Sequence, residues 1–306
     1  NLLFLAPVQQ LGVGWLEDNV LTFLDEGAGV WTQMIGLLVG GLMIFLLGLA
    51  DDIYVLKPEL KLAGQIMAAL VLVGCGIRLD VFITDFWEDG WYVTALSSAV
   101  TVFWLVMMTN AMNFLDNMDG LASGVSVIAA FSFFLCIMPD QTFVCVLLMV
   151  FAGSVAGFLF HNFNPARIYM GDAGSMFCGF LLGTVAVLGT FYAEDTQSRV
   201  AVAAPVLALS VPIFDTISVV WIRWRRGESI MKGDKRHFSH RLVDAGMAPH
   251  QAVEFIYLVA IVVGLGAALL PQVDFKGTLV ILAQTIGVFS LIVILMYVGN
   301  KRREAS

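Results

Sequence analysis

The sequence predicts an all-α fold, a bundle of about nine membrane-spanning helices forming a single domain over residues 1–306, and three observations carry that prediction. Hydrophobic residues make up 59% of the chain and charged residues 13%, with a mean hydropathy of +0.88; a soluble domain carries about a quarter charged residues. The apolar residues gather into runs long enough to cross a bilayer. The basic residues fall almost entirely in alternate loops between those runs.

Taken in order, the runs lie at about 31–50, 60–78, 93–113, 120–138, 142–160, 174–193, 200–223, 252–270 and 277–298. The first stops at Asp51 and Asp52, and the third ends in the stretch "NAMNFLDNMDGLASG". The sixth opens just after Asp172, and the seventh, which contains Pro205, Pro212 and Asp215, ends in "RWRR". The opening "NLLFLAPV" is too short to cross and lacks the basic start of a signal peptide, so it reads as the tail of an earlier span. Cys75, Cys136, Cys145 and Cys178 lie in apolar runs without CxxC spacing, which makes them packing residues rather than a disulfide or metal framework.

Threading nine spans puts Lys57, Lys61, Arg167, Arg223, Arg225, Arg226, Lys232, Lys235, Arg236, Arg241, Lys301, Arg302 and Arg303 on one side. Arg78, Arg199 and Lys276 fall on the other, and the thirteen-to-three bias makes the first side cytoplasmic. Glu17, Asp18, Asp25, Glu26, Asp80, Asp85, Glu88, Asp89, Asp140, Glu194, Asp195 and Asp274 crowd the outer loops. The net charge of −8 therefore describes a solvated outer face, and no nucleic-acid partner is expected.

The cytoplasmic loops hold the chemistry: "GLADDIYVLKPELKLAGQ", "NAMNFLDNMDGLASG", "HNFNPARIYMGDAGS" and "RWRRGESIMKGDKRHFSHRL". They bring five carboxylates (Asp51, Asp52, Asp116, Asp119 and Asp172) and the pair His237 and His240 to one membrane face. Carboxylates gathered in this way repel one another unless a cation compensates them, and hard oxygen ligands favour Mg²⁺ or Mn²⁺. A metal with open positions beside basic residues suits a diphosphate. Capping remains an alternative for Asp51 and Asp52 at a span end, for Asp119 before "GLASG" and for Asp172 before a new span. Asp215, inside a span after two prolines, is a site residue by its depth, or else a structural partner of a basic residue such as Lys61. His161 and His250 read as surface residues, and Arg223, Arg225 and Arg226 as membrane anchors or phosphate ligands.

At these four loops the chain resembles the polyprenyl-phosphate N-acetylhexosamine-1-phosphate transferases, which initiate peptidoglycan lipid, common antigen, O-antigen and teichoic acid synthesis. The resemblance runs from about residue 31 to 298: Asp51 and Asp52 with Pro58 and Lys61, then Asn113, Asp116, Asp119 and Gly120, then Asn162 and "MGDAGS" with Asp172. "DKRHFSHRLVDAGM" has the spaced histidines of the antigen and teichoic acid branch, with Ser239 where many members carry a further His, and "PIFDT" is similar to that branch too. The family's first cytoplasmic loop and first span have no counterpart in this sequence.

The resemblance implies Asp51, Asp52, His237 and His240 as catalytic residues and Asp172 as the Mg²⁺ ligand. It implies Asn113, Asp116, Asp119, Asn162, Lys61, Arg236, Arg241 and Asp215 as substrate contacts. The reaction implied is transfer of an N-acetylhexosamine-1-phosphate, with GlcNAc favoured, from a UDP-sugar to undecaprenyl phosphate in the bacterial inner membrane, the site facing the cytoplasm. Attack in one step and a route through an aspartyl phosphate both remain open, as do the assembly (a homodimer among the options) and phospho-MurNAc-pentapeptide transfer as a second reading. A cation-coupled transporter would need acids within several spans and an internal repeat, and the acids instead cluster at one face.

Overall fold

The computed structural model describes residues 28–79, 90–137, 141–189, 203–228 and 236–304, and among them every regular element is a helix. The opening segment lies outside the described residues. So do Lys232, Lys235, Arg199 and all the acidic outer-loop residues named above except Asp274.

Among the described residues eleven α-helices follow one another: α1 Ala28–Tyr54, α2 Pro58–Gly74, α3 Trp91–Leu115, α4 Leu121–Ile137, α5 Thr142–Asn162, α6 Gly171–Leu188, α7 Ala204–Ala208, α8 Ser210–Arg225, α9 Phe238–Asp244, α10 Pro249–Leu269 and α11 Phe275–Glu304. Within the described residues a helix lies along each of the nine expected runs, although the run expected at 60–78 is helical only to Gly74. Among the described residues six helices have the length and apolarity to cross a membrane, namely Trp31–Tyr54, Trp91–Leu115, Thr142–Asn162, Gly171–Leu188, Pro249–Gln272 and Phe275–Val298. The chain is thus a polytopic helical membrane protein. Helices α2 and α4 are shorter, at 17 residues each.

The run expected at 200–223 is broken at Leu209 into α7 and α8. Pro212 accounts for the break, because a proline cannot donate to the carbonyl four residues back and its ring crowds that carbonyl. The interruption gives α8 a start within the bundle and sets Asp215 one turn into it.

Packing follows membrane rules, in which small residues let backbones approach and hydroxyls satisfy themselves locally. At Gly48 a Cβ would lie 2.5 Å from Ala173 Cα, so only glycine lets α1 press its end against the start of α6. Thr101, Thr109, Ser126 and Thr184 donate to the carbonyl one turn earlier in their own helices. Trp104 Nε1 donates to the Gly183 carbonyl at 3.0 Å and ties α3 to α6. One apolar core is built around Phe133, Met112 and Leu148, and a second around Ile44, Leu72 and Phe180 joins α1 and α2 to α3 and α6. Hydrogen bonds draw the ends of α1, α3 and α5 together with the starts of α2, α4 and α6, and α8 reaches the start of α9.

Candidate active site

Asp51 and Asp52 divide their work. Asp51, 9% exposed, accepts the Leu56 backbone N–H at 2.7 Å through Oδ1 and the Lys61 ammonium at 2.7 Å through Oδ2. The same ammonium donates to Asp172 Oδ2 at 2.9 Å, so one cationic nitrogen joins carboxylates from α1 and α6. Asp52 instead accepts the backbone N–H groups of Asp172, at 2.8 Å, and Ala173, at 3.1 Å. Those are donors that a helix start leaves without intrahelical partners, and a carboxylate there also suits the helix dipole. Asp52 thus caps a helix, but it is α6 on the far side of the site and not its own span end or the next helix. Gly171 makes the approach possible, with φ +65° and room for no Cβ, which would stand 2.7 Å from Asp52 Oδ2.

The turn after α3 adds the next layer. Asn113 Nδ2 donates to Ser175 Oγ at 3.0 Å, which sets its side chain beside Asp172. Asp116 follows at the C-terminal cap of α3, and burial first, then the charges of Asp172 and Asp52, push its carboxyl up to about 7. Asp119 does not cap α4. Its Oδ2 accepts Asn164 Nδ2 at 3.1 Å and the Ala166 N–H at 3.0 Å, pinning the loop that leads to Asp172. Asn162 is 3% exposed, and both ends of its amide are engaged. Its Oδ1 accepts Gly120 N–H and Ser123 Oγ, and its Nδ2 donates to the Ile168 carbonyl.

The third part comes from the broken span. Asp215 is fully buried, and its Oδ2 lies 2.8 Å from His237 Nδ1 while Oδ1 accepts the Phe238 N–H at the start of α9. Its partner is thus His237, and not Lys61, which is committed to Asp51 and Asp172. The His237 ring lies 6.3 Å from that of Phe114, two residues before Asp116. Ser239 Oγ donates to Asn117 Oδ1, so α9 is tied to the Asp116–Asp119 turn. Arg241 Nη2 donates to Ser218 Oγ at 2.6 Å, and Arg236 forms a forked ion pair with Glu228. His240 is partly exposed beside them. The arginine cluster divides as well: Arg223 is 5% exposed, whereas Arg225 lies over the Trp221 ring, 5.0 Å from its centroid. His250 is exposed and His161 packs edge-on against Phe160, both as surface residues would.

Asp51, Asp52, Asp116 and Asp172 cluster here, and the Lys61 ammonium pairs with two of them, Asp51 and Asp172. Among the described residues no group of three or more His, Cys, Asp or Glu side chains could hold a metal. Two carboxylate oxygens within 3 Å of one cationic centre nevertheless fit Mg²⁺, which keeps several waters and takes only one or two carboxylates beside substrate phosphates.

Sequence reasoning passed over Ser175, Asn117, Ser239 as an anchor, and Tyr257, whose hydroxyl donates to the Gly120 carbonyl from α10. Ser175 and Asn117 lie inside quoted motifs and could have been found there. Tyr257 gives no local signal. Gln65 and Asn110, whose amides pair reciprocally at 3.2 and 2.6 Å, hold α2 to α3 one turn beyond Lys61.

A sequence profile described as glycosyl transferase family 4 matches residues 34–190. A Bacillus subtilis (strain 168) protein named "Probable undecaprenyl-phosphate N-acetylglucosaminyl 1-phosphate transferase" is 34% identical over 252 residues, covering 81% of this chain and 68% of its own. A "Decaprenyl-phosphate N-acetylglucosaminephosphotransferase" of Mycolicibacterium smegmatis is 35% identical, covering 83% and 67%. A "Phospho-N-acetylmuramoyl-pentapeptide-transferase" of Moorella thermoacetica is 31% identical, covering 72% and 70%. The matched profile spans α1 to α6 and with them the carboxylates that Lys61 and Asp52 draw together, and the likeness to whole relatives extends beyond it, so the chain belongs to glycosyl transferase family 4.

Proposed function

We propose that the protein transfers N-acetylglucosamine-1-phosphate from UDP-GlcNAc to undecaprenyl phosphate, releasing UMP and leaving a lipid diphosphate sugar. The observation that carries this reading is the Lys61 bridge, which gathers carboxylates from α1 and α6 around one cationic centre at the ends of apolar helices. A lipid phosphate and a nucleotide diphosphate are polyanions, and a site at a membrane face where acids are neutralised by exchangeable cations suits them. The names of the bacterial relatives support the choice of substrates. Nine spans, with these loops facing the cytoplasm of a bacterial inner membrane, complete the reading, supported by the thirteen-to-three basic bias.

An oxygen of the lipid phosphate attacks the β-phosphorus of the UDP-sugar, and the bond from that phosphorus to the bridging oxygen breaks, the electron pair leaving on UMP. Asp51 orients the lipid phosphate or takes its proton, and Lys61, once drawn from its two carboxylates, pairs with phosphate oxygens. Mg²⁺ held by Asp172 and Asp51 would supply positive charge against the diphosphate. Asp116 and Asn113 contact the nucleotide part, and Asp119 and Asn162 keep the loops around it in register. Asp52 keeps the start of α6, and with it Asp172, in place. Arg241 and His240, on α9, and Arg236 just before it line the approach of the phosphates.

The test is to incubate purified protein with undecaprenyl phosphate, Mg²⁺ and a panel of radiolabelled UDP-sugars that includes UDP-MurNAc-pentapeptide. Label from UDP-GlcNAc in the organic phase is expected. Label only from the MurNAc substrate, or none, would overturn the proposal.

A further inference from the structure

We infer that Asp215 is the positioning residue of His237, and that His237 Nε2 is the atom that meets the substrate phosphates. The inference rests on the transfer proposed above and assigns Asp215 a task other than touching substrate. Asp215 is fully buried and both of its carboxylate oxygens are engaged, one by His237 Nδ1 at 2.8 Å and the other by the Phe238 N–H. Full burial, with a protein partner on each oxygen, keeps it from solvent-borne ligands.

What it does to His237 follows from hydrogen-bond chemistry. A carboxylate oxygen can only accept, so Nδ1 carries the proton, and in the neutral ring Nε2 is left as the acceptor. The second contact fixes the backbone on which the imidazole is carried, because the Phe238 N–H is the first donor of α9. One side chain thereby sets the ring's tautomer, its depth and the origin of its helix. Two further ties hold the ring to the end of α3 and the turn after it: Ser239 on Asn117, and the Phe114 ring 6.3 Å away. The break at Leu209 lets Asp215 meet α9 at all, since α8 begins within the bundle only five residues before it.

His237 accordingly donates to or accepts from a phosphate oxygen through Nε2, in an orientation it cannot choose without Asp215. Three variants test this in the purified full-length protein with UDP-GlcNAc and undecaprenyl phosphate, after the wild type has been shown to form lipid product; a wild type that forms none refutes the transfer reaction and not the pair. Asp215→Asn should lower kcat about 10²-fold with KM for UDP-GlcNAc little changed. His237→Asn keeps an amide nitrogen near the Nδ1 position while removing Nε2, so it should melt like the wild type and lose kcat to a similar extent. The double variant should be no slower than His237→Asn alone, because Asp215 acts through a ring that is no longer present.

A fold-loss from Asp215→Asn that is as large without the imidazole as with it would make Asp215 a fold anchor only. So would a rise in KM with kcat retained. Wild-type kcat in His237→Asn would remove Nε2 from the reaction, and that variant decides the matter even if Asp215→Asn does not fold.

Discussion

Replacing Lys61 by methionine removes a cation and keeps most of the apolar stem, and the structure sets the size of the effect. Asp51 Oδ2 and Asp172 Oδ2 stand 2.7 and 2.9 Å from the ammonium, so the two oxygens are no further apart than the sum of those distances. At an effective dielectric of about 20, two unit negative charges so close repel by at least about 3 kcal/mol. The side chains are 25, 10 and 28% exposed, so water, together with partial protonation of the pair, relieves part of this. A net loss of about 1–3 kcal/mol is expected, or about 2–6 °C in melting temperature. The assay is thermal unfolding of detergent-purified Lys61→Met beside the wild type, in EDTA and then with saturating Mg²⁺. The variant should melt lower in EDTA and gain more from Mg²⁺ than the wild type does, because a divalent cation replaces the missing charge. Equal melting of the two proteins in EDTA, or no differential gain from Mg²⁺, would refute the view that Lys61 holds a cation's place.

Asp172→Asn should abolish turnover in an assay of lipid-phase product while the protein still melts cooperatively, since one cation-binding charge is lost at constant volume; retention of most activity would take Asp172 out of the metal site. Asp116, with its carboxyl pushed up to about 7, gains its charge only as pH rises through that value. UDP-GlcNAc affinity by calorimetry should therefore increase as pH rises through about 7 in the wild type and stay flat in Asp116→Asn. The stability contribution has the opposite sign: the folded value lies above 3.8, so the group's contribution is fully present below that value and is lost as pH rises through about 7. Gly124→Ala would set a Cβ 2.1 Å from the Tyr257 ring, and should lower stability by about 1–3 kcal/mol and free the Gly120 carbonyl, read as a fall in melting temperature and a raised KM for UDP-GlcNAc.

What the sequence made legible is what membranes enforce. Apolar length announced the helices, because a backbone in lipid must satisfy itself within each span, and the polar clusters at their ends announced the site. Pro212 signalled a disturbed ladder, and the break at Leu209 is its consequence. Partnerships between distant loops were a different matter. Asp52 looked like half of a catalytic pair, yet it caps a helix 120 residues further on. Asp119 looked like a substrate contact, with a cap for α4 as the alternative, and its carboxylate holds Asn164 and Ala166. Both roles require carboxylates next to polar loops, and the linear sequence does not say which loop a carboxylate will face. The same limit hid the pairing of Asp215 with His237, for which Lys61 had the right charge, and hid Tyr257, an apolar-helix tyrosine whose hydroxyl reaches a carbonyl on another helix.

The most direct test of the transfer itself is to follow each phosphorus. UDP-GlcNAc carrying radioactive phosphorus at the β-position, and separately at the α-position, is incubated with the purified protein, undecaprenyl phosphate and Mg²⁺, and the products are partitioned between organic and aqueous phases. Attack at the β-phosphorus predicts that β-label moves into the lipid while α-label stays in water as UMP. Both labels remaining in water, or both moving together into the lipid, would contradict the account.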